Sequence, residues 1–237
     1  MRLLVHVEGQ TEETFVNEVL RPHLVQIGYE SVAARLLGNA RLKRNRGGIR
    51  SWPSAKNDIV GHLKHDSGCI STTMVDFYGL PADGDGCWPG RAGSDHLPPQ
   101  ARVLVLEQAL KNDVMHELGS AFHGDRFIPY VMLHEFEGLL FSHPAIFAQA
   151  IGRPELEVPF TQIRNQFATP EEINDSPQTA PSKRVEQLMP KYEKPLFGVF
   201  AVLEMGLDRI RVECPHFDTW LTKLESLVIP HAAPRPH

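Results

Sequence analysis

The sequence predicts an α/β fold: a mainly parallel sheet flanked by helices, with a helical C-terminal extension. Three observations predict it. The apolar run Leu3 to Val7 stops at Glu8-Gly9 and gives way to apolar positions at helical spacing, which is half a βαβ unit. Two further β-rich runs, beginning at Cys69 and Phe127, have helical patterns between and after them. Beyond Pro144 the pattern is one of short helices punctuated by Pro and Gly. With 237 residues and 42% hydrophobic content the chain holds a substantial core. The expected division is an α/β core over 1–143, a helical region over 144–230 packed on that core and not independent, and a disordered tail over 231–237.

The first strand delivers Glu8 at its tip. Gly9 is expected to permit a sharp turn, and Thr11 to cap a helix carrying Phe15, Val16, Val19, Leu20 and Leu24 inward. In open α/β sheets the ligand crevice lies beyond the carboxyl ends of the strands, so an acid there beside a helix N-terminus suits a metal ion and a phosphate. A solvated strand end accounts for a single such Glu equally well. Ser31 to Leu37 reads as a second strand. The segment Arg41 to Arg50 is the most positive in the chain and is built around Gly47-Gly48; Arg44 and Arg46 are candidate phosphate contacts, the alternative being a solvated loop.

Asn57 to Lys64 reads as a short helix, and Cys69 to Tyr78 as a strand that again finishes on an acid, Asp76. Asp83 and Asp85 beyond it are turn residues or distal ligands, without the remaining positions of a calcium loop. Pro98 to Leu118 forms an amphipathic helix over one face of the sheet. The strand Phe127 to Leu133 ends in His134-Glu135-Phe136-Glu137. If it stays extended, Glu135 and Glu137 share one side; if a helix starts at His134, they diverge and only one can ligate. His134 and His143 are structural histidines, a general base or phosphate contacts. Pro170 to Ser176 reads as a polar loop. Ser182 is a capping candidate, with Lys183 and Arg184 either reaching a phosphate or belonging to a plain capping turn. In the last helices Phe197, Phe200, Val202 and Leu203 are expected inward, as are Trp220, Leu221, Leu224 and Leu227.

Bulk composition narrows the function. A net charge of −5 with 24 Lys plus Arg argues against a histone-like, nonspecific nucleic-acid binder, although a local basic patch is compatible with it. No run is long and apolar enough to span a bilayer and no signal-peptide order is visible, so a cytoplasmic protein is expected. The three cysteines have no paired spacing, which suggests neither a disulfide framework nor a structural zinc site. Walker A, G-x-G-x-x-G and G-x-S-x-G patterns are absent, which argues against an ATPase, a dinucleotide enzyme and a serine hydrolase. Acids at three neighbouring strand ends would repel one another unless a cation joined them, and oxygen-only ligands select Mg²⁺, Mn²⁺ or Ca²⁺ over zinc. Phosphoryl chemistry follows from that combination.

The segments Val7-Glu8-Gly9-Gln10-Thr11-Glu12, Asp76-Phe77-Tyr78-Gly79-Leu80-Pro81, His134 to Phe141, Pro170 to Asn174 and Ala180-Pro181-Ser182-Lys183-Arg184 together resemble domain of unknown function family 4276, from residue 1 to about 227. That family is similar to the Toprim-like group, found in topoisomerases, primases and nucleases of the overcoming-lysogenization-defect type. The resemblance implies a Toprim/Rossmann-like core, with Glu8 matching the group's glutamate and Asp76 the first acid of its Asp-x-Asp. Tyr78 stands where the second acid belongs, so Glu135 or Glu137 must replace it or the site is degenerate. The implied function is a Mg²⁺- or Mn²⁺-dependent nuclease acting on DNA or RNA, with Glu8, Asp76, Glu135 and Glu137 as catalytic metal ligands and Arg44, Arg46, Lys183 and Arg184 on phosphates. The implied setting is phage defence or repair beside an ATPase partner. The alternatives are a non-catalytic Toprim-scaffold subunit of an ATPase complex and, last, a phosphatase for small phosphoesters.

Overall fold

The computed structural model describes residues 1–37, 51–174 and 178–228, without the side chains of 194 and 195. Among these, five strands form one parallel sheet: β1 (Arg2–Val7), β2 (Ser31–Leu36), β3 (Cys69–Asp76), β4 (Phe127–Ile128) and β5 (Val131–Met132). Their order is β2-β1-β3-β4, with β5 also paired to β3. Strands covered on both faces are apolar throughout, which is why β1 reads as an unbroken run. Val7 lies opposite Leu36 on one side and Met74 on the other, so Glu8 and Asp76 leave adjacent strands at the same end of the sheet.

The helical run after β1 comprises α1 (Gln10–Phe15), a π-helical turn (Val16–Leu20) and α2 (Arg21–Ile27). Its N-cap is Gly9 and not Thr11, because Glu12 turns back and its carboxylate accepts the Gly9 N–H at 3.0 Å. Gly9 has φ −140°, which any residue adopts. Space is what favours glycine here, since a Cβ would stand 3.1 Å from the Glu12 carboxylate. Two helices cover the other face: α3 (Trp52–His65), longer than the sequence suggests, and α4 (Pro99–Leu118). They bury Ile59, Leu63, Leu106 and Leu110 with Val75, Phe127 and Val131, each worth about 1.5–3 kcal/mol of transfer free energy. Asp83 and Asp85 are exposed at the turn Gly84–Gly86.

The expected strand from Phe127 to Leu133 is interrupted at Pro129-Tyr130. Pro129 has no N–H to give to a ladder. The Thr73 hydroxyl takes the place of a strand neighbour, accepting from Tyr130 N at 3.0 Å and lying 2.9 Å from Tyr130 O. Thr73→Val removes both contacts inside a fully buried site and is expected to lower stability by about 1–3 kcal/mol, read from the urea midpoint at unchanged m-value.

The C-terminal half is α5 (Glu137–Leu140), α6 (Pro144–Ala150), α7 (Glu157–Arg164), α8 (Pro181–Leu188), α9 (Lys194–Met205), α10 (Leu207–Glu213) and α11 (Pro215–Ser226). One hydrophobic cluster runs from Leu3, Val5 and Phe15 through Phe147 and Val202 to Phe217 and Trp220. Polar bonds also tie α11 to the sheet side: Trp220 Nε1 donates to Thr72 Oγ1 and Tyr29 Oη to the Leu224 carbonyl, each at 2.8 Å. Phe200 and Leu203 are not inward as expected; they are 48% and 49% exposed. The helix α9 is apolar nearly all round, so periodicity does not select a face; Val202 is buried as expected, and packing buries Ala201 and Met205 in place of Phe200 and Leu203. Among the described residues no helix is long and apolar enough to cross a membrane.

Under α3, the fully buried His6 faces His62 with ring centroids 5.4 Å apart. Burial, then the charges of His62 and Arg35, push the His6 imidazole down to about 3. It is neutral in the fold and must gain a proton on unfolding at any pH below its ordinary 6.5. Its contribution is therefore complete above pH 6.5 and lost as pH falls from there toward 3, at up to about 1.4 kcal/mol per pH unit. Urea melts of wild type and His6→Met are expected to diverge by that slope between pH 6.5 and 5; parallel curves would show that the ring titrates normally.

Candidate functional site

The carboxyl ends of β1 and β3 and the start of α5 meet at Asp76, the last residue of β3. Burial comes first, then the negative charges of Glu12, Glu8, Glu137 and Glu135, in raising the Asp76 carboxyl well above the usual carboxylate range. Five acids thus act on one another here, four of them anticipated from sequence. Asp76 Oδ1 is shielded from solvent with no hydrogen-bond partner among the described residues. Glu137 and Glu12 are buried, whereas Glu8, Asp76 and Glu135 are half-buried, with one carboxylate oxygen of Glu8 and of Asp76 shielded from solvent.

The chain is neither extended through Glu135 and Glu137 nor helical from His134. A bend separates β5 from α5, whose first residue is Glu137, and both acids stay within electrostatic reach of Asp76. Glu135 has a second role: its Oε2 accepts the Ser182 N–H at 3.1 Å, on the first turn of α8, where the helix dipole favours a negative charge. Ser182 is thus not the cap; Ala180 occupies that position and the distant Glu135 supplies the acceptor. The Glu137 charge also acts on the half-buried Tyr192, reinforcing the effect of burial in raising its phenol. Glu12 was missed as a site residue, although its spacing from Glu8, one helical turn on, was visible in the sequence.

The predicted cations fare differently. Arg44 and Arg46 lie outside the described residues. Lys183 pairs with Glu186 at 2.7 Å, and Arg184 donates to the Thr179 carbonyl at 2.7 Å and packs over Phe167. At Phe77, the residue after Asp76, the Arg91 guanidinium sits 4.2 Å from the ring centroid and that of Arg102 5.9 Å, neither singled out from sequence. Tyr78, 40% exposed, stacks on His134 with centroids 5.4 Å apart and planes 15° from parallel. Burial and then the Arg102 charge push the His134 imidazole down to about 4, so it is neutral. His143 Nδ1 accepts the Ile146 N–H at 3.2 Å and caps α6.

The donor set around Asp76 is all oxygen, which suits a hard divalent cation, and the partnerless Asp76 Oδ1 is the atom such an ion would satisfy. Among the described residues no three His, Cys, Asp or Glu side chains already converge on one ion position.

The family model described as Domain of unknown function (DUF4276) matches residues 7–225. A search of curated proteins finds no match. A solved structure of the C-terminal region of the Xanthomonas campestris pv. campestris OLD protein is similar at 14% identity and a TM-score of 0.40, covering 95% of each chain.

Proposed function

We propose that this chain, which belongs to the family described as Domain of unknown function (DUF4276), is a divalent-cation-dependent nuclease that cleaves phosphodiester bonds in DNA or RNA. The observation that carries this reading is Asp76, a carboxyl held above its usual range among Glu12, Glu8, Glu137 and Glu135 at the carboxyl end of a parallel sheet. Such a concentration of negative charge is costly to hold and becomes useful once a cation compensates it. Mg²⁺ or Mn²⁺, when bound, polarises a phosphodiester and acidifies a water.

Glu8, Asp76, Glu135 and Glu137 are the proposed ligands. Glu12 fixes the Gly9 turn and adds negative charge, while the Glu135 bond to α8 holds that acid in place. Arg44 and Arg46 are the proposed phosphate contacts. Lys183 and Arg184, already engaged with Glu186, Thr179 and Phe167, are weaker candidates. The proposed setting is cytoplasmic, in phage defence or repair with an ATPase partner.

The test is cleavage of labelled single- and double-stranded DNA and RNA with Mn²⁺ or Mg²⁺. Wild type is expected to cut at least one substrate and Glu8→Gln to lose that activity; equal activity or equal inactivity of the two removes the reading. Tyr78 in the place of a second acid, together with the absence of a preassembled ion position among the described residues, favours a second reading: a non-catalytic scaffold subunit of an ATPase complex. Mn²⁺ separates the two, because an ion bound only by the folded state raises Tm by mass action and a subunit without a metal site shows no shift.

A further inference from the structure

We infer that Tyr78 is a stacking platform for an unpaired nucleobase, so that the strand presented to the Asp76 carboxylates is single-stranded. This rests on the phosphodiester reading of that site and names its substrate class. Tyr78 lies in the short turn Phe77–Gly79 that follows β3 directly, two residues after Asp76. Tyr78 is 40% exposed, an unusual position for a large aromatic residue at a mouth of carboxylates, where it adds no charge for an ion.

The ring is also fixed. One face stacks on His134 at 5.4 Å and 15°, and the buried Phe77 meets it edge-on at 5.5 Å and 83°. Phe77 is pinned in turn by the Arg91 guanidinium at 4.2 Å, itself bonded to Asp95 at 2.9 Å. The stack bridges two chain segments that carry acids, since His134 immediately precedes Glu135 and Tyr78 closely follows Asp76. Two residues span at most about 7 Å, so Tyr78 leaves the chain close to Asp76, and its stack on His134 sets it beside the residue that precedes Glu135. A rigid aromatic ring with one face already stacked has little freedom left to lose on binding, which suits it to base stacking. Bases in a duplex are stacked on both sides and offer no face to such a ring; an unpaired base does. Below the platform, His134 Nε2 is buried without a hydrogen-bond partner among the described residues, a second polar feature of the mouth that no local interaction explains.

The experiment reads binding in EDTA, where no cleavage occurs. The native Trp52, Trp88 and Trp220 are at most 3% exposed, so an accessible tryptophan signal in Tyr78→Trp reports on position 78. Oligothymidylate and oligouridylate are expected to quench that signal, and a duplex of equal length to leave it unchanged. Tyr78→Ala is expected to weaken single-strand binding about tenfold and to spare duplex binding, whereas Tyr78→Phe keeps wild-type affinity because the ring and not the hydroxyl does the stacking. Wild-type affinity in Tyr78→Ala, or equal quenching by duplex and single strand, overturns the inference. The two proposals fail separately. Strand binding through position 78 with no Mn²⁺-dependent cleavage overturns the nuclease reading alone. Cleavage that Tyr78→Ala leaves unaltered on single strand and duplex alike, with wild-type binding, overturns the platform alone.

Discussion

Asp76→Asn is expected to lower metal-dependent cleavage on the order of a thousandfold while making the metal-free protein more stable. The two effects have opposite signs for one reason. Asp76 is the acid on which burial and four neighbouring carboxylates converge, and its Oδ1 has no hydrogen-bond partner among the described residues. Asparagine keeps the shape and discards the charge, which removes a ligand and relieves repulsion together. The relief is expected to be about 1–3 kcal/mol, roughly 2–4 °C in Tm for each kcal/mol at this chain length. The pH dependence follows from the sign of the shift. A carboxyl whose folded pKa lies above its unfolded value of 3.8 favours the fold most when protonated. As pH rises through 3.8 the unfolded state ionises first, and stability is lost until the folded group ionises as well. Melts in EDTA should therefore show the gap between Asp76→Asn and wild type opening above about pH 4 and then levelling off. Saturating Mn²⁺ should reverse the order, so that wild type melts above Asp76→Asn. A loss of stability in Asp76→Asn at neutral pH without metal would identify Asp76 as a structural acid.

The strand ends that build this cluster were legible because each is a local event. An apolar run halts at an acid, and in β1 and β3 the halts fall at Glu8 and Asp76 as the sequence predicts. The features that were not legible depend on distant partners. The break at Pro129-Tyr130 is maintained by the hydroxyl of Thr73, fifty-seven positions earlier. The cap of α8 comes from Glu135, a separation of forty-seven. Neither an extended nor a helical Glu135-Glu137 describes the chain, since the bend between them is set by packing of Phe136, Leu139 and Leu140 into the main cluster. Phe200 and Leu203 were misplaced for the complementary reason: with apolar residues on every side of α9, sequence carries no signal about which side the protein buries. Glu12 was hidden by its ordinary role at the helix start, where an acid needs no further explanation.

Glu171 is the acid on which the largest loss of stability is expected. Sequence assigned it to a polar loop, yet it is buried, and its two oxygens accept the N–H groups of His216 and Phe217, both at 2.9 Å. Those are first-turn donors of α11, whose N-cap Cys214 offers no side-chain bond, so Glu171 is the cap from forty-five positions away. The same helix places Trp220 on Thr72 of β3 and His216 against Glu107 at 2.9 Å, and it buries Phe217, Leu221 and Leu224. Glu171→Ala leaves two first-turn donors, a half-buried one and a buried one, without an acceptor, at a cost of about 3 kcal/mol. Tm should fall by roughly 6–12 °C. Glu171→Gln keeps one acceptor and is expected to lose about half as much, and Glu172→Ala, at the adjacent half-buried position, much less. Burial raises the Glu171 carboxyl above its ordinary 4.5, while the His216 N–H bond, the His216 charge and the Phe217 N–H bond pull against that shift. Because Glu171 is not among the acids acting on Asp76, cleavage per folded molecule at low temperature should match wild type. Wild-type melting of Glu171→Ala would move the anchoring of α11 to its apolar face alone. Early melting together with slow cleavage by the folded Glu171→Ala protein would show that α11, acting through Trp220 on Thr72, helps to hold the end of β3 where Asp76 stands.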